Sequence, residues 1–325
     1  MSTAGRFRPP PAVLVVAGPT ASGKTALAIE LAQRLDTEII SADSMQVYKG
    51  MEIGTGAPSL EERARVTHHF VSCLDPKEQF SAGAFGRAAR SIAARLNARG
   101  RIALLVGGSG LYIRAAIDEL FPGPGKDEAV RRRLHDEADR LGVAALYSRL
   151  ETVDPGYAAV ILPGDLRRIV RALEVYELTG EPMSRLHRRH RAGTAPLDAL
   201  QIAVDLPRDV LYARIDARVE RMIEAGFVEE VRALMDRGCL DRFAQLRTLG
   251  YREFAEYLEG RKTYAEAVEE MKRNTRRYAR RQLIWFRGDT RIHWLRASGD
   301  TPVGDLADRA LALIEGWSTR APGSL

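Results

Sequence analysis

The sequence predicts an α/β fold in which a parallel sheet core is interrupted by an inserted all-helical domain. Three observations lead to this fold class. Apolar runs typical of buried parallel strands alternate with segments of helical periodicity. A glycine-rich loop joins the first of these strands to the first of these helices, and strand-like runs disappear after residue 122 and return near residue 198. We therefore expect residues 1–122 and 198–325 to form the core and residues 123–197 to form the helical insertion.

The glycine-rich loop carries the strongest motif. It follows an apolar strand over residues 12–17 and precedes a helix over residues 26–35. It matches the phosphate-loop pattern G-x-x-x-x-G-K-[ST] and consists of Gly18, Pro19, Thr20, Ala21, Ser22, Gly23, Lys24 and Thr25. Backbone amides of such a loop converge on a phosphate, Lys24 adds positive charge, and the Thr25 hydroxyl can bind Mg²⁺. The core is therefore predicted to be P-loop NTPase-like and to bind a diphosphate or triphosphate; the alternative is a glycine turn that binds nothing.

Two further predicted strands end in residues suited to a site. The strand over residues 37–41 runs into Asp43, and the strand over residues 101–106 ends in two glycines and Ser109. Ligands of open parallel sheets gather at the carboxyl ends of the strands, so both ends are expected beside the phosphate loop. Asp43 could bind Mg²⁺ or take a proton from a nucleophile, or it could cap the next turn. The segment at Ser109 could admit a ligand close to the backbone, or it could be a plain structural turn.

The charge balance points to a polyanionic partner. The formal net charge is +6, from 49 Lys and Arg against 43 Asp and Glu, and the isoelectric point is near 9.4. The predicted insertion has helices over residues 128–141, 144–150 and 166–178. Its basic residues include Arg131, Arg132, Arg133, Arg167, Arg168, Arg171 and the run 187–191. Such clusters are typical of a surface that follows a nucleic-acid backbone, and the alternative is a solvated face.

Two predicted helices of the core also carry rows of arginines. The helix over residues 208–225 places Arg214, Arg218 and Arg221 at near-helical spacing, where they could reach a phosphate cluster or remain solvated. The helix over residues 263–286 has five arginines on two neighbouring stripes. Its apolar residues Leu283, Ile284 and Phe286 are expected to pack into the core.

Composition excludes several other kinds of site. Cys73 and Cys239 lack the spacing of a zinc site or a disulfide framework, and both are predicted to be small core residues. No apolar stretch approaches the ~20 residues that span a bilayer. Residues 1–11 have no apolar signal core and are expected to be a disordered lead-in. We therefore expect a cytoplasmic protein without a membrane partner.

Six runs, in order along the chain, resemble the tRNA dimethylallyltransferases, also called isopentenyltransferases. These runs are residues 18–25, 40–48, 107–112, 165–174, 249–251 and 280–287. The phosphate loop alone is shared with many kinases and NTPases, whereas the run Ser-Ala-Asp-Ser-Met-Gln-Val-Tyr at residues 41–48 is highly specific to this family. Ser109 stands where the family more often has threonine, and the hydroxyl is retained. The chain has no counterpart of the zinc finger of some eukaryotic members, so it resembles the bacterial form.

The resemblance implies transfer of a dimethylallyl group from dimethylallyl diphosphate to the N6 amine of adenine 37, just 3′ of the anticodon in tRNA. The adenine would be flipped out of its stack to react. Asp43 would accept the amine's proton, and Ser109 would hold the amine from the other side. The loop amides, Lys24, Arg221 and Mg²⁺ on Thr25 would stabilise the departing diphosphate.

The resemblance also assigns a set of residues to tRNA binding. They are Asp43, Ser44, Met45, Gln46, Ser109, Arg131, Arg167, Arg168, Ile169, Val170, Arg171, Arg247, Thr248, Leu249, Gly250, Tyr251 and Arg252. Residues 246–252 have a composition suited to base stacking as well as to ordinary packing. We expect a monomer.

Two functions of other classes remain open from the residues alone. A small-molecule kinase would also need a phosphate loop and an acidic residue after the second strand, but it would consume ATP and would not need the arginine-rich insertion. A non-catalytic RNA-binding protein gated by a nucleotide would use the basic helices but would not need Asp43 beside the loop. The sequence does not decide whether a nucleotide binds the loop.

Overall fold

The computed structural model describes residues 11–193, 195–239 and 248–319. The chain divides into two compact units. One unit combines Met1–Asp118 with Leu197–Leu325, and we call it the sheet unit; the other, Glu119–Pro196, we call the helical unit. The predicted disordered lead-in falls almost wholly on residues 1–10, which lie outside the described residues.

A parallel sheet of six strands forms the centre of the sheet unit. The strands are β1 Val13–Ala17, β2 Ile39–Ser41, β3 His68–His69, β4 Ala103–Gly107, β5 Ala199–Asp205 and β6 Ile292–Arg296. Their spatial order is β3-β2-β4-β1-β5-β6. Strand β1 lies between β4 and β5, with Val13 opposite both Ala103 and Ala199. The predicted parallel α/β core is thereby confirmed, and the chain leaving β1 emerges from the middle of the sheet.

Fifteen helices connect and cover these strands in the described part of the chain. In order they are α1 Lys24–Arg34, α2 Glu52–Thr55, α3 Leu60–Arg65, α4 Ala82–Asn97, α5 Gly110–Arg114, α6 Glu128–Leu141, α7 Val143–Val153, α8 Pro155–Ala158, α9 Leu166–Thr179, α10 Met183–Gly193, α11 Arg208–Glu224, α12 Phe227–Asp236, α13 Tyr251–Leu258, α14 Tyr264–Arg287 and α15 Val303–Thr319. Helix α5 continues as a π-helix over Ala115–Glu119. Within the described ranges, none of these helices combines the length and the apolar run needed to cross a bilayer.

The sheet is buried on both faces because β1 is apolar at every position. Leu14 and Val16 pack in one cluster with helices α1 and α15. Val13 and Val15 point to the opposite face and pack with helix α4 and with Phe286 of α14. Successive side chains of a strand alternate between faces, so a continuous apolar run supplies two cores at once. This double burial holds the end of β1 rigidly in place.

Two predictions about core residues were wrong. Cys73 is exposed, whereas Cys239 is buried as predicted. On α14, Phe286 is only 2% exposed but Ile284 is 63% exposed. Each helical residue is rotated by about 100° from the last, so residues two apart lie on nearly opposite sides and cannot both face the core.

The helical unit has an apolar core of its own. Helices α6 to α10 surround a cluster that includes Leu134, Leu146, Leu150 and Leu173. The described residues of this unit contain no strand. Helix α9 begins at an Asp165 cap whose carboxylate accepts a hydrogen bond from the Arg168 amide.

Candidate active site

The phosphate loop has the geometry of an anion cradle. Gly18 and Gly23 have φ angles of 138° and 91°, which favour glycine. Ala21, with φ of 63°, adopts the left-handed region that non-glycine residues rarely occupy at low cost. The helix α1 begins at Lys24 with no side chain capping its first amides, and the buried Ser22 hydroxyl has no hydrogen-bond partner among the described residues. Uncapped amides at a helix N-terminus are suited to binding an anion.

Lys24 folds back over the loop that it follows. Its Nζ donates a hydrogen bond to the Pro19 carbonyl at 2.5 Å. Burial lowers the pKa of Lys24 from 10.5 to about 7, the positive charge of Arg218 adds to the lowering, and the Asp43 carboxylate opposes it. A substantial fraction of this amine is therefore neutral near pH 7, and an anion bound beside it would favour the charged form.

Asp43 lies just beyond β2, where the structure shows the capping role, and the same side chain is also accessible from a cavity. Its Oδ1 accepts hydrogen bonds from the amides of Met45 at 2.9 Å and Gln46 at 3.4 Å, so the carboxylate caps the following turn. The same side chain also lines the main cavity of the sheet unit. Capping the turn therefore uses one oxygen of the carboxylate.

The segment after β4 is tied to the Asp43 segment by a close approach of backbones. A Cβ atom on Gly107 would lie 2.2 Å from the Ala42 carbonyl oxygen, so only glycine fits there. The Ser109 amide donates to the Ala42 oxygen at 3.2 Å, and the Ser109 Oγ accepts from the Ser44 amide at 3.1 Å. The glycines and Ser109 therefore hold the Asp43 segment in position.

Arginines of α11 reach the same cavity. Sequence reasoning named Arg214, Arg218 and Arg221 together but assigned only Arg221 to the diphosphate. Both Arg218 and Arg221 line the cavity, but Arg221 is exposed whereas Arg218 is half-buried. Burial lowers the pKa of Arg218, while the Asp43 carboxylate acts in the opposite direction. The Arg218 guanidinium donates to the Gly56 carbonyl at 3.3 Å. Among the described residues, no carboxylate lies within ion-pair distance of it.

The cavity measures about 720 Å³, within the range of small-molecule sites. Its polar lining includes Lys24, Thr25, Asp43, Arg218 and Tyr278. Its apolar lining includes Met45, Val219, Met222, Leu249 and Met271. Cations and a carboxylate thus share one cavity with an apolar wall, which suits a ligand that has both a phosphate group and a hydrocarbon part.

Among the residues that helix α14 contributes to this cavity are Tyr278 and Gln282, which the sequence did not identify as functional. Tyr278 lines it, and burial together with the nearby Asp43 charge raises the pKa of its hydroxyl, while Ser109 and Gln282 act in the opposite direction. The Gln282 side chain contacts both the phosphate loop and the segment after β4. The two residues are one helical turn apart on the side of α14 that faces the cavity. Only this orientation distinguishes them from the residues on the solvent-facing side of the helix.

The residues available for a metal are few. The described residues contain no group of three or more His, Cys, Asp or Glu side chains that could hold a metal ion. The half-buried Thr25 hydroxyl and the Asp43 carboxylate both line the cavity. Magnesium commonly binds through one or two protein oxygens together with substrate phosphates. These residues therefore fit Mg²⁺ only in the company of a phosphate ligand.

Comparison with known proteins decides the family. A family model described as "IPP transferase" matches residues 46–289, well over half of the chain. The chain belongs to this family. A tRNA dimethylallyltransferase of Syntrophobacter fumaroxidans is 47% identical over 294 residues, which cover 90% of this chain and 86% of that protein. The IPP transferase family membership agrees with the resemblance seen in the sequence.

Solved structures of similar proteins agree with this assignment. A full-length tRNA isopentenylpyrophosphate transferase of Bacillus halodurans aligns with a TM-score of 0.69 at 38% identity, covering 94% of this chain and 97% of that one. A eukaryotic dimethylallyltransferase acting on tRNA aligns with a TM-score of 0.76 at 29% identity, covering 96% of this chain and 81% of that one. The IPP transferase fold is P-loop-like, as predicted, and these comparisons give no support to the kinase alternative.

Several residues of the sheet unit that the resemblance assigns to tRNA line the cavity of this IPP transferase. Ser44, Met45 and Gln46 line the cavity, as do Thr248 and Leu249. Their assignment to tRNA stays a prediction.

The neighbouring residues 250–252 are only partly accessible. Tyr251 is 0% exposed, with its ring against Phe227 and its hydroxyl donating to Glu230 at 2.7 Å. A Cβ on Gly250 would lie 2.8 Å from Met271, so this glycine permits the tight packing. In this conformation the Tyr251 ring is therefore packed in the core and is not available to stack on a base. Arg252 is exposed, and Arg247 lies outside the described residues.

Among the residues of α9 that were predicted to bind tRNA, some are exposed and others are buried. Arg167 and Arg168 are exposed at the start of α9. Ile169 and Val170 are buried in the unit's own core, because they occupy the apolar face of α9. Their side chains are thus unavailable to tRNA in this conformation, which corrects that part of the prediction.

Arg131 and Arg171 instead hold a buried carboxylate. Glu174 is 0% exposed and accepts hydrogen bonds from Arg131 at 2.8 and 2.9 Å and from Arg171 at 2.6 Å. The Asp127 amide donates to it as well, at 2.8 Å. Burial alone would raise the pKa of Glu174, but these hydrogen bonds lower it from 4.5 to about 2.

Replacing Glu174 by Gln should destabilise the helical unit by about 3 kcal/mol, since it removes the buried carboxylate that pairs with two half-buried guanidinium groups. The pKa shift gives the sign of the pH dependence: the stabilisation is complete above the unfolded pKa of about 4.3 and is lost as the pH falls toward 2. Native-state hydrogen exchange in α6 and α9 would measure the change. The matched variant Glu181→Gln removes a half-buried partner of the exposed Arg189 and should cost under about 1 kcal/mol. Equal effects of the two variants would contradict this account.

Proposed function

We propose that this IPP transferase family member transfers a dimethylallyl group from dimethylallyl diphosphate to the N6 amine of adenine 37 in tRNA and releases diphosphate. One observation carries the proposal: a single cavity is lined by the phosphate-loop Lys24, by Arg218, and by the carboxylate of Asp43. Cations suit a diphosphate leaving group, and a carboxylate suits an amine nucleophile that must lose a proton.

The leaving group would be held by the phosphate loop. The uncapped amides at the start of α1 and the Lys24 ammonium would bind the diphosphate, with Arg218 and Arg221 opposite them on α11. Mg²⁺, bound by Thr25 and the phosphates, would supply further positive charge to the leaving group. Since these donors are already oriented, they would stabilise the charge that develops as the carbon–oxygen bond breaks.

The nucleophile would be held by the segments that follow β2 and β4. Asp43 would accept a hydrogen bond from the adenine amine through the carboxylate oxygen that does not cap the turn. Ser109 would contact the amine from the other side. As the new carbon–nitrogen bond forms, the amine proton passes to Asp43 and the electron pair of the broken bond leaves on the diphosphate.

The hydrocarbon chain of the donor and the tRNA backbone also have proposed binding residues. The apolar wall formed by Val219, Met222 and Met271 would receive the five-carbon chain and exclude water from the reacting carbon. The exposed Arg167 and Arg168 would bind the tRNA backbone, and the base would enter the cavity after leaving its stack. We propose that the protein acts in the cytoplasm as a monomer.

Incubation with unmodified tRNA and either labelled dimethylallyl diphosphate or labelled ATP tests the function. Transfer of the prenyl label to tRNA would support it. Transfer of label from ATP to a small molecule would support a kinase, and tRNA binding without either transfer would support a binding protein.

The Lys24 pKa predicts that donor affinity falls as the pH rises above 7. The bound diphosphate favours the charged amine, so affinity is highest below the free pKa of about 7 and declines by up to tenfold per pH unit above it. Calorimetric titration from pH 7 to 9, in buffers of different ionisation enthalpy, would detect the decline and the linked proton uptake. Lys24→Met should bind more weakly without this pH dependence. A constant wild-type affinity over the range would contradict the expectation.

The exposed arginines of α9 predict a change in salt dependence. Arg167→Ala combined with Arg168→Ala should weaken tRNA binding and reduce the slope of log affinity against log salt by about 2 or slightly less. A control that removes Arg87 and Arg99, exposed residues of the sheet unit with no assigned tRNA role, should leave the slope unchanged. An unchanged slope for the α9 variant would remove these arginines from the interface.

A further inference from the structure

A buried glutamine of α14 joins the two segments that would hold the two substrates. Gln282 is 6% exposed. Its Oε1 accepts a hydrogen bond from the Thr20 amide of the phosphate loop at 2.9 Å. Its Nε2 donates to the Gly108 carbonyl, in the segment after β4, at 2.9 Å. One side-chain amide thus spans from the cradle at the end of β1 to the segment that carries Ser109.

We propose that Gln282 is a positioning residue that fixes the distance between the diphosphate cradle and the residues holding the nucleophile. It touches neither reacting group in this account; it acts through the backbones of Thr20 and Gly108. The inference rests on the proposed function, because it assigns the two segments to the donor and the acceptor.

A second observation shows that the space around this amide is shaped to receive it. A Cβ atom on Gly108 would lie 2.2 Å from Gln282 Nε2 and 3.3 Å from the Gly18 oxygen. The φ angle of Gly108 is outside the left-handed region, so backbone conformation does not require glycine there. The absence of a side chain at residue 108 is therefore explained by the close approach of Gln282.

The hydrogen bonds of Gln282 are connected through the chain to Asp43, the proposed proton acceptor. The residue after Gly108 is Ser109, whose Oγ accepts from the Ser44 amide at 3.1 Å, and Ser44 follows Asp43 in the chain. On the other side, the Thr20 amide is engaged by Gln282 within the loop that binds the phosphates. A shift of either partner would therefore change the distance between the leaving group and the carboxylate.

Glutamine has the chemistry that this position requires. A backbone amide needs an acceptor and a backbone carbonyl needs a donor, and a side-chain amide offers both. Glutamate would accept from Thr20 but would place negative charge against the Gly108 carbonyl. Methionine has a similar length and volume and offers neither strong hydrogen bond.

The test compares Gln282→Met with a matched control, Gln201→Met. Gln201 is a second buried glutamine, 2% exposed on β5, whose Nε2 has no hydrogen-bond partner among the described residues. With both substrates saturating, Gln282→Met should lower the single-turnover transfer rate by about 30- to 100-fold, since sub-ångström errors in alignment are costly. Its dissociation constants for donor and tRNA should change by less than about threefold. Gln201→Met should transfer at the wild-type rate.

A double-mutant cycle with Gly108 tests the bridge itself. Gly108→Ala alone should lower the transfer rate, because its methyl group displaces the Gln282 amide. In a Gln282→Ala background, the same change should have little further effect, since the amide is already gone. Independent, multiplicative effects would overturn the proposal.

Hydrogen exchange adds a readout that does not depend on activity. The Thr20 amide should lose protection in Gln282→Met and keep it in Gln201→Met. A wild-type rate for Gln282→Met, or unchanged protection at Thr20, would overturn the inference while leaving the proposed function standing. A wild-type protein that transfers no prenyl label would overturn the proposed function, and the exchange measurement would still decide whether the bridge exists.

Discussion

Asp43→Ala should lower the rate of prenyl transfer at saturating substrates by about 10³- to 10⁴-fold while tRNA affinity stays within a few-fold. The expected size follows from the loss of a positioned proton acceptor, which is typically worth 10²- to 10⁴-fold, together with the loss of the turn that its Oδ1 caps. Single-turnover transfer of labelled donor to tRNA measures the rate, and filter binding measures the affinity.

Asp43→Asn separates the two roles of this side chain. The asparagine Oδ1 can still accept from the Met45 amide, so the turn keeps its cap, but the amide cannot take a proton at neutral pH. We expect the Asn variant to be nearly as slow as the Ala variant. A fast Asn variant beside a slow Ala variant would mean that Asp43 is a structural cap. Weak tRNA binding with a preserved rate at saturation would lead to the same conclusion.

Arg218→Gln should lower the transfer rate by about 10²- to 10³-fold. Its guanidinium lies in the cavity that Lys24 and Asp43 also line, is half-buried, and has no carboxylate partner among the described residues. A partly desolvated cation without an ion-pair partner is costly to the free protein, and it would stabilise the charge that develops on the leaving group in the transition state. The rate constant with saturating donor distinguishes this effect from weaker donor binding.

Arg221→Gln is the matched variant on the same helix. Arg221 also lines the cavity but is exposed to solvent, which weakens its interaction with a bound diphosphate. We expect a loss of about tenfold or less. A larger loss for Arg221→Gln than for Arg218→Gln would reverse the assignment and return the main role to Arg221.

Most of the sheet could be predicted because its strands are apolar on both faces. β1 and β4 were each expected within two residues of their bounds, since a run of buried residues leaves few alternatives. β3 consists only of His68 and His69 and pairs with β2 through two residues. So short a polar strand has no periodicity to detect, and its existence depends on the neighbouring strand.

Some residues of the candidate site could be predicted from the sequence and others could not, and the difference has a physical reason. Asp43 and Ser109 come two residues after the ends of β2 and β4, so the sheet fixes their positions, and the spacing of the phosphate-loop motif places Lys24. Arg218 and Gln282 lie on long helices, where every side of the helix carries a plausible residue. Their roles depend on which side faces the cavity, and that rotation is set by packing against the rest of the sheet unit.

The sequence by itself determined the parallel core, the phosphate loop and the family, because these depend on local order: strand, glycine turn, helix, and a specific run after the second strand. Only the tertiary structure decided which side chains meet. It left Cys73 and Ile284 exposed, buried Tyr251, and joined Arg131 and Arg171 to Glu174. It also placed the Gln282 amide between Gly108, which is 174 residues away in the chain, and Thr20, which is 262 residues away. Hydrogen bonds and burial between residues so distant in the chain depend on the packed fold, which no local pattern encodes.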